Sequence, residues 1–223
     1  MSKKTKETPI LADEALGKSE EFIYKYRTPI TVAFTAIIVG IAAYLGYSNF
    51  ILAPKEIEAN KALVVATQNF EDGKYTESLD GDGLNLGTRD IAEEYSGTKA
   101  GNLATLYAGL ALAKLENYEE AIGYLEDYSG NDDIVAPKIK HTLGNCYAHT
   151  GNNAKALDLI LDAAEEASNE TVTPFCWRDA AARYEQDGKS EEAKALYERI
   201  IAEYPECTLV TTGEIERQLN SVK

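Results

Sequence analysis

Three stretches of this chain repeat one another, and small side chains mark their register. Aligning the segments that begin at Asn102, Pro137 and Pro174 puts Gly109, Gly144 and Ala181 in one column. A second column holds Ala121, Ala156 and Ala193, and both columns have intervals of 35 and 37 residues. Large side chains recur as well, at Leu112, Tyr147 and Tyr184 and at Leu125, Ile160 and Tyr197. Such a period accommodates two helices and their turns, and Gly151 and Gly188 fall where the turns are due. Small residues let paired helices approach closely, and large ones fill the space between successive pairs. A single pair cannot bury its own apolar face, so several must stack side by side.

The third stretch supplies Trp177, Ala181, Tyr184, Ala193, Tyr197 and Pro205, and the second supplies Leu143, Gly144, Tyr147, Ala156 and Ala163. These positions resemble the tetratricopeptide repeat, a helix-turn-helix unit of about 34 residues. The first stretch lacks the Trp and the Pro. Residues 55–96 read as a further, degenerate unit. Ala62, Ala66 and Phe70 fit its first helix, and Asp72-Gly73-Lys74 its turn. Leu79, Leu84, Ile91 and Tyr95 fit a second helix, lengthened and interrupted by Gly81, Gly83 and Gly87. The fold class expected is all-α: a transmembrane helix followed by a tetratricopeptide-like solenoid of about four hairpins. The divisions expected are a cytoplasmic tail (1–27), a transmembrane helix (28–53), a degenerate first repeat (54–101), three repeats (102–136, 137–173 and 174–207) and a cap helix (208–223).

The transmembrane expectation rests on Thr28–Ala53, where no residue is charged. As a helix this run would measure roughly 39 Å, enough to cross a hydrocarbon core of about 30 Å with some tilt. Pro29 suits a first helical turn, and Pro54 punctuates the exit. Tyr24, Tyr26, Tyr44, Tyr47 and Phe50 match interfacial belts of aromatics. A cleavable signal has a shorter apolar core and a small-x-small cleavage site, and Asn49-Phe50-Ile51-Leu52 does not supply one. Six Lys and Arg precede the run, whereas only Lys55 and Lys61 follow in the next twenty residues. The positive-inside rule then keeps the N-terminus in the cytoplasm and exports the repeats.

Charge narrows the partners. Residues 1–27 carry six basic and five acidic groups, a net of +1, so the remainder holds −16 of the formal −15. A domain this acidic repels phosphate backbones, which argues against nucleic acid. No acid, base and nucleophile set stands out, so no enzyme and no cofactor are expected. Asp80-Gly81-Asp82-Gly83 has the start of a calcium loop, but Leu84 and Ile91 stand where further ligands are needed. His141, Cys146 and His149 share a helix, yet Cys146 points about 140° from His141, so no metal is expected there. Cys146 and Cys176 lie on first helices of adjacent units, where packing of free thiols is favoured over a bridge.

A sharper resemblance covers nearly the whole chain. It rests on a charged N-terminus ending in Lys25-Tyr26-Arg27, one span and a Pro54-Lys55-Glu56 exit. It also rests on Leu79-Asp80-Gly81-Asp82-Gly83, and on Tyr95-Ser96-Gly97-Thr98-Lys99-Ala100-Gly101-Asn102-Leu103-Ala104. In these features the chain resembles the ancillary SecYEG translocon subunit family in its Bacteroidetes-type form. The resemblance implies a bacterial inner-membrane protein with a periplasmic scaffold beside the SecYEG channel. Its implied partners are a membrane-anchored periplasmic peptidyl-prolyl isomerase and unfolded or emerging polypeptides. Membrane lipid would surround residues 28–53. One alternative, a scaffold for another envelope assembly or division complex, shares every other feature; another, a cytosol-facing receptor on an organelle, shares the anchor.

The tetratricopeptide resemblance also implies which side chains line the concave face. Carried over, they are Leu103, Leu106, Leu110, Ala113 and Lys114 in the first matched unit. The second contributes Lys138, His141, Asn145, Ala148 and His149, and the third Phe175, Arg178, Ala182, Glu185 and Gln186. An extended or helical polypeptide could set apolar anchors at the leucine end and a carboxylate near Lys138 or Arg178.

Overall fold

The computed structural model describes residues 11–130 and 132–222, with side chains described from residue 24 onward. The first ten residues of the expected tail lie outside the described residues. All regular structure among the described residues is helical. The chain divides into two units, Met1–Pro54 and Lys55–Lys223.

In the first unit, helix α1 runs Leu11–Tyr47 and is followed by a π-helical turn, Ser48–Leu52. Two expectations need correction here. Pro29 lies inside α1, not in its first turn, because the residues before it are themselves good helix formers. Pro54 does not end the helix. It is the second residue of α2 (Ala53–Glu71), immediately after the π turn. There the Ala53 N–H bonds to Ser48 O, one residue wider than an α-helical bond. A proline ring clashes with the carbonyl four residues back, and the wider turn relieves that clash. The run is long and apolar enough to cross a membrane, and its most apolar window is not buried at all. Phe34, Ile38 and Phe50 are exposed around it.

The second unit is a stack of helical hairpins. Its helices are the rest of α2, then α3 (Tyr75–Asp80), α4 (Thr88–Glu94), α5 (Lys99–Lys114) and α6 (Tyr118–Asp127). There follow α7 (Val135–His149), α8 (Asn153–Ala167), α9 (Thr173–Gln186) and α10 (Ser190–Glu203). The short α11 (Thr208–Thr211) and α12 (Glu214–Ser221) close the stack. The two helices of each of the last three hairpins pack together, α7 on α8 most extensively, then α5 on α6 and α9 on α10 equally.

Four hairpin turns share one hydrogen-bond pattern. The long bonds run from Lys74 N to Asn69 O, Asn117 N to Leu112 O, Asn152 N to Tyr147 O and Lys189 N to Tyr184 O. A shorter bond nests inside each, as from Gly151 N to Ala148 O. This is the Schellman termination, which needs one residue in the left-handed region. Gly73, Gly151 and Gly188 fill that place in three turns, whereas Glu116 (φ 61°) fills it in the fourth. A side chain there costs energy that glycine does not. Glu116→Gly is therefore expected to raise stability by about 0.5–1 kcal/mol, read as a higher urea midpoint.

The repeated columns meet in the interior. Ala121, Ala156 and Ala193 are fully buried, as are Ile160 and Tyr197. A Cβ added at Gly109 would lie 2.8 Å from Leu125 Cγ, and one at Gly144 would lie 2.7 Å from Ile160 Cγ1. The small first-helix column thus seats the large second-helix column. Trp177 stacks under the Arg199 guanidinium at 4.0 Å, closing the last hairpin.

The first repeat departs from the others between α3 and α4. Asp82 accepts hydrogen bonds from the backbone N–H of Leu84 (2.9 Å) and Asn85 (2.7 Å) and folds the loop onto itself. A Cβ at Gly87 would sit 2.2 Å from Leu79 O, so backbone passes over backbone there. Leu84, expected on the second helix, is instead at the loop tip and 95% exposed, because the glycines break the helix before it. The Thr98–Asn102 stretch is a junction. Thr98 Oγ1 caps the Gly101 N–H, and Glu56 accepts from the N–H of Lys99 (2.7 Å) and Ala100 (3.1 Å). Asn102 clasps Ser129 beyond α6 through both of its side-chain polar atoms. Helix N-termini present unpaired N–H groups, and a carboxylate there satisfies two of them and meets the helix dipole.

Candidate functional site

The inner face of the stack carries a groove of about 580 Å³. Its floor comes from α5, α7 and α9, since the first helices of successive hairpins line up along it. Leu110, Ala113, Lys114, His141, Asn145, His149, Ala182 and Gln186 line it, all positions that the repeat pattern places on this face. Lys138, Phe175 and Arg178 line a smaller depression that shares His141 with the groove and continues it along α7 and α9.

Four of the expected lining residues lie elsewhere. Leu106 is buried in the core against Leu79 and Ile139, because the face it occupies is covered by neighbouring helices. Glu185 turns toward its own hairpin, where it accepts a 2.7 Å hydrogen bond from the Tyr197 hydroxyl. Burial, together with the adjacent Glu185 carboxylate, pushes the Tyr197 phenol upward and keeps it a donor. Leu103 is exposed, and like Ala148 it lines neither depression.

Six lining residues were not anticipated: Phe70, Tyr118, Thr142, Cys146, Asp179 and Arg183. Thr142, Cys146, Asp179 and Arg183 each follow an expected position by one residue. A helix face wider than one ridge would have included them. Tyr118 comes from a second helix, and its ring stacks on His149 with centroids 4.1 Å apart. Phe70 comes from the degenerate repeat and meets Tyr75 and Tyr107 edge to face.

Asp179 organises the centre of the site. Its Oδ2 accepts from His141 Nε2 at 2.8 Å and from Asn145 Nδ2 at 3.3 Å. Its Oδ1 accepts twice from Arg178, at 3.0 and 2.8 Å. Burial opposes its ionisation, but the His141 hydrogen bond and the Arg178 charge outweigh burial and hold the carboxyl down at about 2. An ionised carboxylate only accepts, so His141 Nε2 carries the proton in this contact. Arg178 also reaches Glu214 of α12 at 3.5 Å. Of the two cations near which a partner's carboxylate was expected, Lys138 and Arg178, Arg178 already holds acids of its own chain.

The three cysteines are free and buried. Burial raises the Cys146 thiol to about 11 and the Cys176 thiol to about 12. Both stay protonated near neutrality and pack as small apolar groups. Among the described residues, no group of three His, Cys, Asp or Glu side chains is placed to hold a metal ion.

The fold and groove define a class: an all-helical tetratricopeptide-like repeat protein, with one long apolar helix near its N-terminus. No protein-family model matches the chain, and no curated protein matches it. Solved structures do. A kinesin light chain-like protein of Podosopora anserina with nearly identical TPR-like repeats aligns at a TM-score of 0.57 and 15% identity. That alignment covers 74% of this chain and 88% of the other. A substituted form of the same repeats aligns at 0.58 and 15%, covering 74% and 87%. At this identity the likeness extends to the fold.

Proposed function

We propose that this chain is a membrane-tethered adaptor that holds polypeptide partners in the groove of its repeats. One observation carries the reading. The groove spans three successive hairpins and mixes apolar walls with amides and with cations that make no ion pair among the described residues. Folds of this class typically serve as scaffolds and not as catalysts.

The tether in this reading is the apolar run of residues 28–53, with the N-terminus in the cytoplasm and the repeats in the periplasm of a bacterial inner membrane. The setting is the SecYEG translocon, with a membrane-anchored periplasmic peptidyl-prolyl isomerase and emerging polypeptides as partners. Support comes from the resemblance in the N-terminal segment, the Pro54-Lys55-Glu56 exit and the Tyr95–Ala104 stretch. Tethering raises local concentration to the millimolar range for short links, so weak groove contacts suffice.

Crosslinking in intact cells tests this, with a photoreactive residue at Gln186 in the groove. Adducts to the channel and to the isomerase are expected, and neither should form from a photoreactive residue at Gly123 outside the groove. Recovery of other envelope proteins instead would exclude the translocon setting. Topology is checked on Leu84→Cys, because the native cysteines are at most 6% exposed and Leu84 is 95% exposed. An impermeant maleimide should label it from the periplasmic side.

A further inference from the structure

We infer that the groove selects an extended polypeptide segment bearing an acidic side chain beside apolar ones, with Arg183 as the receptor of the carboxylate. This rests on the groove being the binding face proposed above and adds the chemistry of what it takes.

The first observation concerns Arg183. It lines the groove, and among the described residues its guanidinium makes no ion pair and its Nε has no hydrogen-bond partner. A guanidinium without a carboxylate partner leaves donors that an entering carboxylate can satisfy with charge-assisted hydrogen bonds. Lys114 lines the same groove and makes no ion pair among the described residues. These two differ from Arg178, which is held by Asp179 and Glu214. Among the residues lining the groove the carboxylate is Asp179, already paired with Arg178 and hydrogen-bonded by His141.

The second observation is charge complementarity. The chain carries a formal −15, yet the groove presents Lys114 and Arg183, and its continuation Lys138, none in an ion pair among the described residues. A carboxylate entering there meets local attraction despite the acidity of the chain as a whole. Apolar contacts flank the cations on one side, through Phe70, Leu110 and the Tyr118–His149 stack.

The third observation is length. The groove and its continuation run along α7 from Lys138 to His149. Eleven helical steps make roughly 16 Å. Extended chain advances about 3.3 Å per residue, so about five residues fit. That is long enough for one acidic side chain with apolar neighbours on alternate positions, and it favours an internal segment over a lone terminus.

The test uses the full chain in detergent micelles and two fluorescein-labelled, end-blocked peptides, acetyl-Ala-Leu-Phe-Glu-Leu-Ala-amide and its Gln counterpart. The Glu peptide is expected to bind about tenfold tighter than the Gln peptide, as a charge-assisted bond to a half-buried guanidinium requires. Arg183→Met should erase that preference, and Lys114→Met should reduce it. The Lys114 variant keeps the test valid if Arg183→Met fails to fold. Equal binding of both peptides to the native chain overturns the inference and leaves the groove reading standing. Binding of neither peptide overturns both. Retention of the preference in a folded Arg183→Met variant also overturns it.

Discussion

Replacing Gly144 by leucine should destabilise the repeats by about 3 kcal/mol or more, at the top of the overpacking range. Gly144 lies on α7 where α8 crosses closest. Its first added atom would already lie 2.7 Å from Ile160 Cγ1, 3.0 Å from Ala156 O and 3.3 Å from Leu159 Cβ. Ala156 O is backbone and cannot rotate away. Ile160 is fully buried, so its side chain has nowhere to move. The helices must part, and both neighbouring hairpins lose packing with them. For a unit of this size the midpoint should fall by about 6–12 °C, followed by circular dichroism. Gly123→Leu is the matched control, since nothing lies within 4 Å of a Cβ placed there. Equal midpoints for the two variants would show that close approach at Gly144 does not govern the stack.

Asp179→Asn should cost about 2 kcal/mol at neutral pH, and this cost should shrink in acid. The Asp179 carboxyl is lowered from the ordinary 3.8 to about 2 in the folded chain. Burial resists that shift, while the His141 hydrogen bond and Arg178 drive it. A group with a depressed folded pKa contributes its full stability above its unfolded value. That contribution fades as pH falls from about 5 and is lost only as pH passes through about 2. Removing the charge also leaves Arg178 with only the longer Glu214 contact, and uncompensated half-buried charge is unfavourable. Urea unfolding of both forms at pH 7 and at pH 2.5 checks this. The gap should be wide at the first and about a third as wide at the second. A gap of the same width at both values would mean that Asp179 is not ionised by these contacts.

Much of the fold was legible because packing writes itself into composition at a fixed period. Gly109, Gly144 and Ala181 are small for the same reason, that a second helix passes at contact distance. Their spacing disclosed the hairpins before any coordinates. The turns followed from Gly73, Gly151 and Gly188. The turn at Glu116 was less legible, because its residue type conceals the left-handed geometry that its hydrogen bonds reveal.

The groove was legible only in part. Repeat position told which face of α5, α7 and α9 turns inward, and so it located Lys114, His141, Asn145 and Gln186. It could not distinguish Arg178 from Arg183. Both are arginines on one helix, and only the placement of Asp179 and Glu214 decides which is consumed within the chain. Nor could it find Tyr118 or Phe70, which reach the groove from elements outside the aligned first helices.

Local chemistry thus settled what each segment becomes: helix, turn, apolar run. These depend on neighbours a few residues away, and residue order records them directly. Which charges are spent and which stay free is decided by contacts over tens of residues, such as His141 with Asp179 and Arg178 with Glu214. Those pairings exist only once the hairpins stack, because stacking alone brings α7, α9 and α12 within hydrogen-bond reach.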